Sequence, residues 1–599
     1  MKIDFPYRPD AYRPIVAVTI AALICSAVLI FLFSQRIWSI SLPLSLLAFL
    51  TINEHLLTSS MEKARKRLAR KIISLRLLYE WVKRHPGWVY LGHGFEWGID
   101  QARAAWLMYH TAQRHHLTTD NPEDSVMTWM RLLGDEKPLS VPLGLFHNHM
   151  QIPGTTRSGK TVALRLLAAQ AIFRGEGVVV LAPKEDPDFE KVCRDATDMA
   201  GSPFYLIHLG LPERSLRINP LRNFNVGTEI ASRIAQLIPS ETGGDPFKAF
   251  SFMATAQILL AEIESGERPT LRSLKHHLEH GVHELVIRVI SAYCSKIMPG
   301  WESKAANVLR SRPDPQDRAH ALAHWYLHNV PPHLQNADIN GLIGQMEHDR
   351  QHFDKMVTSL MPLLTELTAG EMGELLSPSP GVQDPYNREI LDIAKVCNTS
   401  GCLYISLDTL PNRDVGQAVG AILCAELASI AGDRQKSWRD RRPDTPPFPI
   451  VNVLIDEAAE IVNGPLVMLT NKGAGSGANM RVVVCSQTLQ DYEVRLGSAA
   501  KAEVLFGNIN NIMMLRVQNK GTQDYLAHKI GTVELQRVNE STGEGAIPGL
   551  GVRQTVSRHI ETTVIERVPK SVLGELPILD YLLLATNGRT FKGRLPIVG

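Results

Sequence analysis

Two long uncharged stretches mark the beginning of the chain. Residues 15–33 and 37–53 contain no charged side chain, and only three residues separate them. At about 1.5 Å per helical residue, the first stretch is long enough to cross the hydrocarbon core of a bilayer. A cleaved signal peptide would explain the first stretch but not the second one behind it, and no small-residue cleavage site lies between them. The pattern therefore predicts a two-helix transmembrane hairpin within residues 1–56.

Basic residues flank this hairpin unequally. Three basic residues precede the first stretch and a basic cluster over residues 63–71 follows the second, whereas the connection holds only Arg36. By the positive-inside rule, both ends of the hairpin are predicted to face the cytoplasm. The cluster would also attract anionic lipid, although a role as a topology signal alone explains it equally well.

Beyond residue 57 the pattern changes to short apolar runs separated by helical segments. Residues 60–83 and 100–116 have the pattern of helices. The apolar runs that follow are rich in β-branched residues and lie at 178–182, 203–209, 402–407, 451–455, 481–487 and 511–517. Because strands that are apolar on both faces are typical of parallel sheets covered by helices, the pattern predicts an α/β fold with a mainly parallel sheet.

One segment, residues 246–369, interrupts this alternation with helical periodicity and almost no strand signal. Thr270 is a typical N-cap of a helix that Gly281 would end. An apolar helical face is formed by Phe353, Met356, Val357 and Leu360. We therefore predict an all-α domain inserted between two parts of the α/β domain, residues 57–245 and 370–599.

The amino-acid composition excludes several classes of protein. The 599 residues are 44% hydrophobic and 21% charged, which is ordinary for globular proteins and excludes a disordered chain. The formal net charge is +2, so any nucleic-acid surface must be local. Seven cysteines without a CxxC pair exclude a disulfide scaffold and favour reduced, mostly buried thiols. Cys397 and Cys402 have no second pair or histidine nearby, which disfavours a zinc centre.

A glycine-rich motif carries the first chemical signal. The residues that fit the pattern G-x-x-x-x-G-K-[ST] are Gly154, Thr155, Thr156, Arg157, Ser158, Gly159, Lys160 and Thr161. The glycines let the backbone curl so that its N–H groups point at phosphate oxygens. Lys160 is predicted to reach the β- and γ-phosphates, and the Thr161 hydroxyl to be a Mg²⁺ ligand. A short strand over 145–152 and a helix over 160–173 supply the expected context for a P-loop that binds ATP with Mg²⁺.

Two carboxylates end the apolar run of residues 451–455. Asp456 is predicted to hold Mg²⁺, directly or through water, and Glu457 to polarise the attacking water. A strand followed by an acidic helix start is the structural alternative, but the P-loop favours the catalytic one. Gln487 ends the next apolar run, where parallel sheets bind ligands, and is predicted to sense the γ-phosphate or to orient water. An ordinary strand-end glutamine is the alternative for that position.

Other polar residues carry weaker signals. His276 and His280 have the spacing of a helical ligand pair, but no carboxylate–histidine motif surrounds them, which favours a solvated helix face. Asp408 follows the apolar run of residues 402–407 and is interpreted as a turn residue.

Taken together, these features resemble the conjugative type IV coupling proteins of the TraD/TraG class, over nearly the whole chain. The segments similar to family motifs are YLGHGFEWG (90–98), INPL (218–221), LIDEAAEI (454–461), CSQTLQDYEVRLG (485–497), LFGNINNIMMLR (505–516) and GRTFKGRLPI (588–597). In detail the chain is most similar to the TraD proteins of integrative conjugative elements.

The resemblance implies a RecA-like P-loop ATPase that forms a homohexamer and is anchored in the bacterial inner membrane, with its ATPase domain in the cytoplasm. Such a protein would receive a single-stranded, relaxase-bound DNA, contact relaxosome proteins and pass the DNA to a type IV secretion channel. The inserted domain would help to select the substrate.

Two positions depart from the family pattern. Ala182 stands where the family usually has an aspartate, although Asp186 remains. Ser476 stands where the family often places an arginine that is offered to the neighbouring subunit, and Lys472 or Arg481 are the candidates to replace it. Three functions thus stay open: a DNA-translocating ATPase, a type IV secretion motor for protein effectors, and a nucleotide-binding membrane adaptor with little hydrolysis.

Overall fold

The computed structural model describes most of the chain beyond residue 70. The residues it describes are 71–599 except 111–125, 225, 236, 238–245, 307, 309–312, 350–352, 354, 356, 359, 380–383, 410–411, 443–445, 474–476 and 548–550. The predicted transmembrane hairpin and nearly all of the basic cluster lie outside the described residues.

Strands and helices alternate through much of the described chain. The strands are β1 (Ile72–Ile73), β2 (Trp88–Glu96), β3 (Lys137–Pro142), β4 (Met150–Pro153), β5 (Gly177–Ala182), β6 (Phe204–His208), β7 (Arg217–Ile218), β8 (Ile390–Leu391), β9 (Cys402–Ser406), β10 (Val451–Ile455), β11 (Met480–Ser486), β12 (Asn511–Met514), β13 (Thr532–Ile547), β14 (Gly551–Glu566), β15 (Asp580–Leu584), β16 (Thr590–Arg594) and β17 (Ile597–Val598). The helices of the first half are α1 (Leu75–Arg84), α2 (Ile99–His110), α3 (Lys160–Phe173), α4 (Pro187–Ala200), α5 (Gly227–Ala235), α6 (Pro246–Glu264), α7 (Leu271–His280), α8 (His283–Ile297), α9 (Trp301–Lys304), α10 (Pro315–Asn329) and α11 (Ala337–Met346). Those that follow are α12 (Met361–Thr368), α13 (Gly370–Leu376), α14 (Ile393–Asn398), α15 (Arg413–Arg439), α16 (Gly464–Lys472), α17 (Gln490–Leu496), α18 (Ala499–Asn508), α19 (Lys520–Ile530) and α20 (Lys570–Glu575).

An eleven-stranded mixed sheet forms the centre of the described structure, in the order β3-β2-β16-β15-β12-β4-β11-β10-β5-β9-β6. The strands from β12 to β6 run parallel, as the apolar runs predicted. The other four strands extend the sheet with antiparallel pairs, which the sequence analysis did not predict. β2 and β3 contain glycine, proline and charged residues, so they lack the continuous apolar pattern of the parallel strands.

The central strands are buried on both faces, and most of their residues are apolar. Val179 and Leu181 of β5 belong to a core that includes the buried face of α15. Val178 and Val180 point to the opposite face, where their core includes α3 and α4. Helix α3 therefore packs directly on the sheet that delivers the P-loop, so the loop is held between two rigid elements.

Helix α15 is long and apolar enough to cross a membrane, the one such helix among the residues that the structure describes. However, 83% of its most apolar window is buried inside the protein. Its residues Val419, Ile422 and Leu423 are buried. We therefore describe α15 as a core helix of the sheet domain.

Helices alone occupy the described residues between β7 and β8. These two short strands pair in parallel, with Arg217 opposite Ile390. The predicted capping of α7 is confirmed, since Thr270 Oγ1 accepts from Ser273 N at 3.0 Å and Gly281 follows the helix. Of the predicted apolar face, Phe353, Val357 and Leu360 are buried, while Met356 lies outside the described residues. The bounds of the inserted domain, 246–369, stay a prediction.

One helix prediction is wrong in its described part. Residues 60–83 do not form one helix, because Ile72 and Ile73 form β1 and pair in parallel with β17. The helix begins only at Leu75, after Ser74, whose side chain accepts from Leu77 N. Two β-branched residues paired with a strand more than five hundred residues later override the local helical pattern. The helix predicted over 100–116 is confirmed as far as His110.

Candidate active site

The predicted motif residues meet at the carboxyl edge of the parallel strands. The P-loop connects β4 to α3, and Asp456 and Gln487 follow β10 and β11 directly. Strand β11 lies between β4 and β10 in the sheet. One strand therefore separates the strand that precedes the P-loop from the strand that precedes Asp456 and Glu457. The loop is tied to this edge because Gly154 N donates to Ser486 O at 3.0 Å and Thr155 N donates to Arg516 O at 2.8 Å.

The shape of the P-loop requires its two glycines. Gly159 has φ +116°, and Arg157 also adopts a positive φ of +62°. A Cβ on Gly154 would lie 2.5 Å from Ser158 Oγ, too close for any side chain. The same hydroxyl donates to Thr155 O at 2.7 Å and so closes the loop on itself. Only a loop of this composition can curl its N–H groups inward.

Lys160 turns back over the loop that precedes it. Its Nζ donates to Gly154 O at 2.8 Å and to Thr155 O at 3.3 Å, and it lies 3.3 Å from Glu457 Oε1. The side chain of Lys160 is buried and that of Glu457 nearly so. The positive charge of Lys160 thus lies at the P-loop, and the carboxylate of Glu457, just after β10, balances it.

Thr161 and Asp456 form the second contact between the two motifs. Thr161 Oγ1 donates to Asp456 Oδ2 at 3.2 Å, and Asp456 Oδ1 accepts from Glu457 N at 3.1 Å. Burial, and next the charge of Glu457, raise the pKa of Asp456. A hydroxyl and a carboxylate oxygen at this distance are a donor set that suits Mg²⁺, which prefers hard oxygen ligands.

Glu457 and Gln487 form the third contact. Gln487 Nε2 donates to Glu457 Oε1 at 3.2 Å, and Thr156 Oγ1 makes a weak contact with Gln487 Oε1 at 3.5 Å. Gln487 therefore bridges the carboxylate and the P-loop. Glu457 has φ +44°, an unfavourable backbone conformation that aims its side chain at the loop.

Two residues near the site have structural partners. Asp186 caps α4 by accepting from Phe189 N at 2.8 Å and pairs with Arg165 at 2.6 Å. Arg481 is buried at the start of β11, 3.4 Å from Glu176. An arginine held in this way does not present itself to another subunit. Ser476 and the side chain of Lys472 lie outside what the structure describes.

Other contacts at the P-loop come from Leu515 and Arg516, which end the motif-like segment 505–516, and from Leu579, which no motif revealed. Besides Arg516, Leu515 N donates to Pro153 O at 3.0 Å, and Leu579 N donates to Ser158 O at 3.0 Å. Apolar side chains and backbone groups leave no motif in a sequence. Only the tertiary structure brings these distant segments to the loop.

The remaining polar candidates are structural in the described part of the chain. Asp408 lies two residues after β9 and has φ +44°. His276 and His280 are exposed and their rings stack 4.7 Å apart. No group of three or more metal-ligating side chains forms a metal centre among the described residues. The described cysteines are free and buried, namely Cys193, Cys294, Cys397, Cys402, Cys424 and Cys485.

Comparison with known proteins matches one segment of the chain to a family model. Residues 450–575 match the family model described as the TraM recognition site of TraD and TraG. This segment contains Asp456, Glu457 and Gln487. No curated protein matches the chain.

The solved structures that match the chain include two of the coupling protein TrwB and one of VirB4. The bacterial conjugative coupling protein TrwBdeltaN70 is 15% identical, with 76% of this chain and 86% of that chain covered and a TM-score of 0.48. The plasmid coupling protein TrwB in complex with the non-hydrolysable ATP analogue ADPNP is 14% identical over 85% of this chain and 94% of that chain, with a TM-score of 0.47. VirB4 of Thermoanaerobacter pseudethanolicus is 13% identical over 76% of this chain and 93% of that chain, with a TM-score of 0.42.

Proposed function

We propose that this chain, whose residues 450–575 belong to the TraD/TraG family, is an ATPase that couples relaxase-bound DNA to a type IV secretion channel in bacterial conjugation. The observation that carries the proposal is the meeting of three motifs at one point. Lys160 Nζ and Gln487 Nε2 both contact Glu457 Oε1, at 3.3 and 3.2 Å. Such a convergence of cation, carboxylate and amide is what hydrolysis of a phosphoanhydride requires.

The P-loop residues 154–161 are proposed to bind the phosphates of ATP. Their backbone N–H groups and Lys160 would balance the phosphate charge. Thr161 and Asp456 are proposed to hold Mg²⁺, which the 3.2 Å spacing of their oxygens supports. When bound, Mg²⁺ would neutralise charge that develops on the phosphate oxygens.

Glu457 is the proposed base for the attacking water. Its carboxylate is mostly buried next to Lys160, and it would be free to contact the attacking water when the lysine turns to the phosphates. Gln487 donates to the same oxygen and would keep the carboxylate in place during this exchange. This amide would also sense the γ-phosphate, a role that its weak contact with Thr156 of the P-loop supports.

The wider organisation is part of the same proposal. Residues 1–56 would form the hairpin in the inner membrane, with both termini and the ATPase domain in the cytoplasm. The nucleotide-binding domain would comprise residues 57–245 and 370–599, with the all-α domain of residues 246–369 inserted. A homohexamer would bind ATP at its subunit borders and move DNA through a central pore. The charge patterns of the sequence and the TraD/TraG family match support this arrangement.

Three kinds of partner follow from the proposal. They are a single-stranded DNA that carries a relaxase, relaxosome proteins, and components of the type IV secretion channel. The description of the matching family names recognition of TraM, which supports a relaxosome contact through residues 450–575.

The test is the ATPase rate of the full-length protein in detergent, with and without single-stranded DNA. We expect strong stimulation by DNA and its loss in Lys160→Ala. Lys191→Ala, an exposed lysine on α4, is the matched control and should behave like the wild type. Hydrolysis that ignores DNA would favour a motor for protein effectors. A wild-type rate no higher than that of Lys160→Ala would favour a nucleotide-binding adaptor and overturn the proposed ATPase.

A further inference from the structure

Leu579, which lies outside every motif, contacts the P-loop through its backbone and its side chain. The Leu579 N–H donates to Ser158 O at 3.0 Å. Its side chain lies against Gly159, where a Cβ would come within 2.9 Å of Leu579 Cδ2. Leu579 itself is buried. Ser158 and Gly159 of the P-loop therefore both lie against Leu579.

Leu579 has an unfavourable backbone conformation. Its φ is +69°, in the left-handed region that a leucine rarely adopts. Contacts of the Leu579 carbonyl and of the following residue hold this backbone conformation. Leu595 N donates to Leu579 O at 2.8 Å, and the next residue, Asp580, is buried in ion pairs with Arg131 and Lys592. Strain that the surroundings impose so firmly is typical of functional positions.

We propose that Leu579 is a positioning residue for the P-loop. It would hold Ser158 and Gly159 in the shape in which the N–H groups of the loop converge on phosphate. A loop with a glycine at φ +116° has other conformations within reach, so an apolar wall behind it preorganises the site. The inference rests on the proposed ATPase function and adds a residue to its nucleotide site.

The same contacts reach the segment that follows the predicted membrane hairpin. Ile597 N donates to Lys71 O at 2.9 Å, next to the pairing of β1 with β17. Two residues earlier, Leu595 holds the carbonyl of Leu579. Backbone hydrogen bonds therefore connect Lys71 to Ser158 through these short steps. The nucleotide loop and the first described residues of the chain share one support.

The experiment compares ATP hydrolysis by full-length variants in detergent. Leu579→Gly removes the side chain and keeps the N–H, and glycine adopts a positive φ without strain. We expect its KM for ATP to rise about tenfold while kcat changes less than about threefold, since ground-state phosphate binding is weakened. Leu579→Met, which restores apolar volume, should return KM to near the wild-type value.

Leu583→Gly is the matched control. Leu583 is buried in β15 and belongs to the same core as Leu579, but it is four residues further along the chain. This variant should lower the melting temperature without raising KM. An unchanged KM in Leu579→Gly, or an equal rise in Leu583→Gly, would overturn the inference. A wild-type protein that neither binds nor hydrolyses ATP would instead overturn the proposed function.

A measurement on the wild type covers the case in which Leu579→Gly does not fold. Amide hydrogen exchange is followed with and without a non-hydrolysable ATP analogue. We expect the peptide that contains Leu579 to exchange more slowly with nucleotide, together with the P-loop peptide. Protection of the P-loop peptide alone would show that Leu579 does not respond to the loop, and the inference would fail.

Discussion

Lys160 and Glu457 form an ion pair across the site, with 3.3 Å between Nζ and Oε1. The two charges lie on motifs almost three hundred residues apart in the sequence, at the start of α3 and just after β10. Each charge balances the other, and in the proposed reaction phosphate would compete with Glu457 for the lysine. Under the proposed function, this pair would couple nucleotide binding to the release of the Glu457 carboxylate.

Replacing this carboxylate separates binding from hydrolysis. In Glu457→Gln the amide oxygen still accepts from Gln487, but Lys160 loses its counter-charge. We expect kcat to fall at least about 100-fold, because the general base is lost. ATP should bind at least as tightly as in the wild type, as measured by titration with a fluorescent ATP analogue.

Glu460→Gln is the control for that variant. Glu460 pairs with Arg413 on the surface and should leave kcat unchanged. A Glu457→Gln protein that hydrolyses ATP at the wild-type rate would exclude Glu457 as the base.

The hydroxyl of Thr161 should set the requirement for Mg²⁺. Thr161→Val keeps the shape of the side chain but removes the oxygen that donates to Asp456. We expect the Mg²⁺ concentration at half-maximal ATPase rate to rise about tenfold, the effect of one lost ligand contact. Thr161→Ser retains the oxygen and should behave like the wild type. Equal Mg²⁺ dependence of the two variants would contradict the assignment.

Glu426 should make stability depend on pH. This residue of α15 is buried, and its Oε1 accepts from Asn223 Nδ2 at 2.6 Å. Burial raises the pKa of Glu426 from 4.5 to about 7, against the opposing charge of Arg233. Between these pH values the folded state binds more protons than the unfolded state, so stability falls as pH rises, by about 3 kcal/mol in total.

Glu426→Gln removes this titration and keeps the contact with Asn223. The variant should therefore be more stable than the wild type at pH 8, and the difference in melting temperature should shrink at pH 5. Thermal unfolding of both full-length proteins at pH 5 and pH 8 measures this difference in melting temperature. A difference that does not change with pH would show that Glu426 does not titrate in this range.

A buried ion cluster should contribute strongly to stability. Asp580 accepts from Arg131 at 2.9 Å and from Lys592 at 2.7 Å, and all three side chains are buried. Asp580→Asn removes the carboxylate charge that pairs with these two buried cations, and breaking a buried ion pair costs about 3–5 kcal/mol. We expect a melting temperature several degrees lower, measured by thermal unfolding in detergent.

Glu96→Gln provides the comparison for Asp580→Asn. Glu96 pairs with Arg589, and both side chains are about half exposed. Exposed pairs contribute about 1 kcal/mol or less, so this variant should melt close to the wild type. Similar losses in the two variants would contradict the role of burial.

The sequence predicted the strands that consist mainly of apolar residues, because such residues by themselves indicate a buried strand. Strand β10 matches the predicted run of residues 451–455, since four of its five residues are apolar. The β13–β14 hairpin was not predicted, because its strands are rich in threonine, glutamate and glycine and carry little apolar signal. Strand β1 is two residues long and exists through its pairing with β17, which local patterns do not record.

The same distinction applies to the site. Lys160 and Glu457 stand in motifs whose residue types follow from phosphate chemistry, so each could be named before the fold was known. Leu579 could not, because its contact with Ser158 uses a backbone N–H that every residue except proline has. Its positive φ depends on the buried partners of Asp580 and on Leu595, which no local pattern reveals.

The buried thiols have a practical consequence for labelling. Burial raises the pKa of Cys294 to about 11 and of Cys397 and Cys424 to about 12, so these side chains remain protonated at neutral pH. Maleimides react with exposed thiolates, and a protonated interior sulfur reacts slowly. A cysteine introduced at the exposed Val564 would therefore accept a fluorophore ahead of the native ones in the described chain. Distance measurements during ATP turnover could then be made without first replacing the interior cysteines.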